Sequence, residues 1–192
     1  MGQAKQRARK QEQWKEALND EEKTIAEASE GLLLKFLSPS GSTGMCYRMT
    51  FFLHLYFAEK GILTEPIVGY INDGTDEIQI SHAWLEYRGR KVDLTLSQTE
   101  RPDINPRGQV LILDHVAKNG HVYFYSRVKN EKAAEVERGW LSDPRLSTLV
   151  LHKDLEHREM LKRSLSTGEM RTFLDAAPDG LTFQRLSSFL DA

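Results

Sequence analysis

A single cysteine, Cys46, stands in 192 residues, so no disulfide can form within the chain. One thiol also cannot supply a multi-thiolate zinc site. No run of residues approaches the roughly 18 apolar positions of a membrane span. The first residues are basic, but no apolar stretch follows them, which excludes a secretory signal. Gly2 follows Met1, yet Gln6 stands where a myristoylation pattern needs Ser or Thr. A cytoplasmic protein is the expectation. No excess charge of one sign exists either. The formal net charge is -2, which gives no global case for a nucleic-acid or polyanion binder. Neither a phosphate-loop nor a dinucleotide glycine pattern is present, nor a Gly-x-Ser-x-Gly element, so serine hydrolases of that type are out.

What is present is an ordinary globular composition, 40% hydrophobic and 28% charged, with enough apolar residues for a sizeable core. The length favours one domain with decorations. Three segments are expected: a charged helical arm over 1–30, a core over 31–128 and a helical extension over 129–192. Within the arm, Lys5, Arg7, Arg9, Lys10 and Lys15 outweigh Glu12 and Glu16. Such a basic stretch can touch RNA, a membrane surface or an acidic partner, and more commonly is a solvated helix or frayed end. Ser38 to Gly44 reads as a loop, because Pro39 and two glycines interrupt regular structure.

A helix is predicted from about Met45 to Lys60. Met45, Met49, Phe52, Leu53 and Tyr56 share one face, and Gly61 follows as a stop. Strands follow at Pro66–Ile71, Ile78–Tyr87 and Arg90–Leu96, with Arg88-Gly89 as a hairpin turn. Two more, Val110–Leu113 and His121–Val128, flank a turn signal at Lys118-Asn119-Gly120. Helices resume from Glu131, with a long charged one starting at Asp143-Pro144 and a last short one after Ala177-Pro178-Asp179-Gly180. The fold class is α+β: one helix packed on an antiparallel sheet, with helical extensions.

Cys46 falls at the predicted start of a helix, where unpaired N–H groups and the dipole favour a thiolate. Gly44 just before it permits close approach of a substrate. A buried, inert thiol is the commoner fate of a lone cysteine. A nucleophile needs a base, and the base an orienting group. If Arg88-Gly89 is a two-residue turn, Tyr87 faces Arg90 and Trp84 faces Asp93. His82 then lies on the same face as Asp93, diagonally opposite at about 7–8 Å between backbones. A one-residue slip would send Asp93 to the other face. An aspartate between Val92 and Leu94 in a strand is itself unusual. Glu86 shares that face as a surface or supporting residue. His152 and His157 are five apart and do not share a helix face, so a metal site there is not expected. His54, His115 and His121 read as ordinary residues, and Tyr123, Phe124 and Tyr125 as a buried strand.

Gly44-Met45-Cys46-Tyr47 with its helix, Val68-Gly69-Tyr70, Ser81-His82-Ala83-Trp84-Leu85-Glu86 and Gly89-Arg90-Lys91-Val92-Asp93 resemble the transglutaminase-like branch of the papain-like fold. The nearest form is the compact bacterial one found in lasso-peptide leader peptidases. The resemblance covers about residues 45–96. It implies Cys46 as nucleophile, His82 as general base and acid, and Asp93 as orienter. It implies a peptidase or transglutaminase-like acyl transferase acting on peptide or protein amides, with no cofactor and no metal. Gly44, Tyr47, Ser42, Thr43 and Trp84 are the candidate substrate-binding or oxyanion residues. Two departures stand out. Tyr47 occupies a position where many such enzymes carry Trp, and no Gln precedes Cys46 after Leu32 to serve an oxyanion hole. The Cys46 N–H would act with Ser42, Thr43 or a neighbouring amide. The other class of reading is a catalytically silent domain of this type used as a scaffold, with a protein partner on the terminal helices.

Overall fold

The structure is a computed structural model that describes residues 12–191. The basic residues Lys5, Arg7, Arg9 and Lys10 of the expected arm lie outside the described residues.

The arm is not one helix. The helix of residues 12–16 stops, and Asn19 starts a new one, α1 (Asp20–Leu32). Asn19 and Glu22 exchange hydrogen bonds to each other's backbone N–H at 2.9 and 3.0 Å, a capping box that resets the chain direction. Helical backbone then continues through a π turn (Leu33–Leu37) and, where a loop is expected, through one more α turn (Ser38–Ser40). The reason is burial. Leu33, Phe36 and Leu37 all reach the core while Leu34 stays out, and Pro39 is accommodated in the last turn. Gly41, at φ 62°, ends it.

Helix α2 (Cys46–Glu59) is the central element. It is buried on more sides than its one predicted face, because Phe51, Leu55 and Phe57 are covered as well. One side packs on the sheet and the other on the C-terminal helices. It closes as expected at Gly61, with Ile62 N–H donating to the Phe57 carbonyl at 2.9 Å and Gly61 N–H to that of Ala58 at 3.0 Å.

Six strands follow: β1 (Glu65–Asn72), β2 (Ile80–Tyr87), β3 (Arg90–Asp93), β4 (Val110–Ile112), β5 (His115–Lys118) and β6 (Phe124–Ser126). Their order is β5-β4-β3-β2-β1-β6, and every named pairing is antiparallel. The β2–β3 hairpin has the two-residue turn, with Tyr87 opposite Arg90 and Leu85 opposite Val92. The second expected hairpin is corrected. β4 turns back into β5 through Leu113 and Asp114, both left-handed at φ 53° and 61°. Leu113 is not a usual turn former, which hid the turn. Asp114 N–H on the Lys91 carbonyl (2.9 Å) and the buried Leu113 side chain hold it. β6 instead joins the far edge, on β1.

Helices α3 (Glu131–Leu141), α4 (Ser147–Arg163), α5 (Thr167–Asp175) and α6 (Phe183–Ser187) complete the chain. The long helix begins at Ser147 rather than at Asp143-Pro144, where a turn precedes it. One contiguous core takes in Ile25 and Leu32 of α1, Phe51 and Phe52 of α2, Leu85 of β2 and Met170, Leu174 and Phe183 of the C-terminal helices. The three segments expected from the sequence thus share a single core. The architecture is α+β, an antiparallel sheet with helices packed on it. No helix among the described residues is long and apolar enough to cross a membrane.

Candidate active site

β2 alternates. Ala83, Leu85 and Tyr87 enter the main core, and His82, Trp84 and Glu86 take the other face. The observed register continues one step from Leu85–Val92 to set Trp84 across from Asp93. His82 Nε2 lies 2.7 Å from Asp93 Oδ2, and the two residues are only 5% and 2% exposed. Three further donors converge on this carboxylate. Tyr125 O–H donates to Oδ2 at 2.9 Å, and Thr95 gives both its N–H and its hydroxyl to Oδ1, each at 3.1 Å. Burial by itself pushes the Asp93 carboxyl up, but the imidazolium and these donors outweigh it and hold Asp93 below the ordinary carboxylate range.

Cys46 is the first residue of α2 and is half-buried. Met45 at the N-cap makes no side-chain hydrogen bond, so its side chain leaves the N–H groups of the first turn free of a cap. The thiol is near enough to the His82 ring to act on its protonation. Burial acts to lower the basicity of His82. The Asp93 charge and hydrogen bond, with a smaller contribution from Cys46, overcome it and raise the pKa of the ring. With Nε2 given to Asp93, Nδ1 is the nitrogen left for the thiol. The arrangement can store a thiolate–imidazolium pair, and it can pass a proton between sulfur and a bound molecule.

The remaining candidates are placed differently. Gly44 is exposed at φ 67°, and a Cβ there would come within 3.1 Å of Glu100 Oε1, so the segment after Asp93 flanks the approach to Cys46. Ser42 gives its hydroxyl to Ser40 at 2.9 Å, and Thr43 is exposed. Tyr47 is turned inward, with its hydroxyl 2.6 Å from Ser81 Oγ. Trp84 is 1% exposed and is no open binding surface. Its indole N–H donates to Glu86 Oε1 at 2.9 Å, and Arg127 holds the other oxygen of Glu86 at 2.7 Å. The Trp84 ring fills the space over Gly69, where any Cβ would meet it at 2.8 Å, and packs edge-on to Tyr125 at 5.1 Å.

Tyr125 and Thr95 are site residues that sequence reasoning missed. Thr95 lies two residues beyond Asp93, a spacing at which a short side chain can close a turn on a carboxylate. Tyr125 had no local signal, since it comes from the far edge strand. Among the described residues, no group of three His, Cys, Asp or Glu side chains could hold a metal ion. No protein-family model, curated protein or solved structure matches the chain. Its own fold and site define an α+β domain that carries a thiol, an imidazole and a carboxylate in series.

Proposed function

We propose that this protein is a cytoplasmic cysteine-dependent amide hydrolase or acyl transferase, built on a transglutaminase-like, papain-like core and acting on peptide or protein amides. The observation that carries the reading is the buried His82–Asp93 pair at 2.7 Å, with the Cys46 thiol near that ring at a helix N-terminus.

In this reading His82 Nδ1 and Cys46 share a proton, and the sulfur attacks the amide carbon as thiolate. The carbonyl oxygen becomes an oxyanion, which the N–H groups of the first turn of α2 can receive without a glutamine. His82 donates the proton to the departing amine, the C–N bond breaks and a thioester remains on Cys46. His82 then takes a proton from water as it attacks, which releases the acid and restores the thiol. An amine in place of water gives transamidation. Asp93 keeps the ring in one orientation and stabilises its charged form.

The test is the pH dependence of Cys46 alkylation by iodoacetamide in the wild type and in His82→Ala. Fast reaction well below the ordinary thiol range of about pH 8.5, lost in the variant, supports the ion pair. A slow reaction with an ordinary profile, unchanged by the substitution, sinks the catalytic reading and leaves the scaffold role.

A further inference from the structure

His157 takes no part in the chemistry above, yet it is only 6% exposed. It projects from α4 onto the sheet. Its ring stacks on Tyr70 of β1, with centroids 4.5 Å apart and 24° between planes. Its Nδ1 lies 2.5 Å from Ser81 Oγ, and Ser81 Oγ lies 2.6 Å from Tyr47 O–H of α2. Tyr70 and Ser81 are direct partners in the β1–β2 register, so one imidazole covers a cross-strand pair. Ser81 is the residue before His82, and Tyr47 is the residue after Cys46.

The run therefore joins the two segments that carry the reacting groups, on the side away from the reacting atoms. Apart from the Cys46–His82 pair itself, the core that α2 and β2 share is built from apolar side chains such as Phe52, Leu53 and Leu85. Apolar contact is non-directional and tolerates small slides of a helix on a sheet. Hydrogen bonds fix distance and angle. Tyr47–Ser81–His157 is a directional part of this contact.

We propose that His157 is a positioning residue that sets the spacing of Cys46 and His82 through Ser81 and Tyr47. The inference rests on the reading of that pair as a catalytic thiol and imidazole. It makes α4, far along the chain, part of the working site.

The protonation states agree with one direction of donation. Burial makes Tyr47 harder to ionise, against the opposing Ser81 hydrogen bond, so the phenol keeps its proton. Burial, then Lys129, holds His157 below the ordinary imidazole range, with Asp154 and Glu137 opposing. Tyr47 O–H then donates to Ser81, and Ser81 O–H donates to Nδ1 of a neutral ring, so no two donors meet along the run.

The experiment compares His157→Asn with His157→Leu in the full chain. The readouts are the second-order rate of Cys46 alkylation against pH, and the thermal midpoint. Asparagine places an amide oxygen near the position of Nδ1 and can still accept from Ser81. Leucine keeps bulk and loses the acceptor. The expected result is a fall of about 5- to 10-fold at neutral pH in the leucine variant, and less than about twofold in the asparagine variant. Equal losses in both variants, or a leucine variant that reacts like wild type, overturn the inference. Ser81→Ala cuts the same run without touching α4. It should slow alkylation by a similar factor, and adding His157→Leu should cost nothing more. Losses that multiply in the double variant overturn the coupling; where His157→Leu does not fold, a Ser81→Ala variant that reacts like wild type overturns it. The catalytic reading fails separately: a wild-type thiol that ignores His82→Ala removes both ideas, whereas an activated thiol that ignores His157 removes only this one.

Discussion

Tyr125 donates its hydroxyl to Asp93 Oδ2 at 2.9 Å, the same oxygen that faces His82 Nε2 at 2.7 Å. The carboxylate is buried, so each of its partners counts for more than it would at the surface. Tyr125→Phe removes one donor and little volume. The expected cost is about 1 kcal/mol of stability, read as a lower midpoint in chemical denaturation. Alkylation of Cys46 at neutral pH should slow by a few fold, less than in His82→Ala. A variant as stable and as reactive as wild type would remove Tyr125 from the site.

The pH dependence of stability follows from the two opposed shifts. The folded-state pKa of Asp93 lies below its ordinary value of 3.8. Its contribution is present above that value and is lost as pH falls through the folded pKa. The folded-state pKa of His82 lies above its ordinary 6.5. Its contribution is complete below that value and is lost as pH rises through the folded pKa. Urea unfolding of wild type and Asp93→Asn should therefore show the largest gap in stability between pH 3.8 and 6.5. The gap should narrow on the alkaline side and again in strong acid. A gap that widens steadily with rising pH contradicts the charged pair.

Gly44→Ala meets two obstacles. The backbone stays at φ 67°, and the new methyl group comes within 3.1 Å of Glu100 Oε1. The left-handed conformation alone costs about 1 kcal/mol for an L-residue. The expected variant melts at a lower temperature, and its thiol is alkylated more slowly because the approach to Cys46 narrows. Gly44→Asn, which tolerates this backbone region better, should retain more stability. If the two variants melt alike, backbone strain is not the cause.

Phe183 of α6 is 3% exposed, lies 5.3 Å from the Phe52 ring and carries the Arg171 guanidinium 3.8 Å above its face. Phe183→Ala should cost about 3–5 kcal/mol, as large-to-small changes in a core do. Removing residues 129–192 should strip one side of α2 and yield an aggregating chain rather than an unmasked enzyme. A soluble, cooperatively melting truncation would show that the C-terminal helices are dispensable to the core.

The parts of this fold that can be read from sequence are the ones written locally. The β2–β3 register follows from a two-residue turn and strict alternation, and counting residues along that hairpin is enough to bring His82 and Asp93 to one face. Helix α2 and its glycine stop are legible for the same reason. Burial of α2 on its second side is not, because the covering residues Phe173 and Phe183 lie more than a hundred positions away. The β4–β5 turn is hidden by its composition, since Leu113 adopts a conformation that leucine normally avoids. His157 sits in a run of charged residues and shows no partner by spacing, because Ser81 and Tyr70 come from other elements. Tyr47 and Trp84 have the right residue types for a binding surface, but position in a motif does not tell which way a ring turns.

Strand β6 spans three residues and pairs only with the end of β1, with β1 and β2 between it and β3. Tyr125 nevertheless crosses that distance to Asp93, a contact 32 residues long in sequence. Contacts that close long loops form late in folding. A chain that has made its central hairpin but not yet docked its outer strand would hold Asp93 with its local Thr95 donors alone. Recovery of thiol reactivity during refolding should then lag behind the secondary-structure signal, and the delay would time the arrival of the last strand.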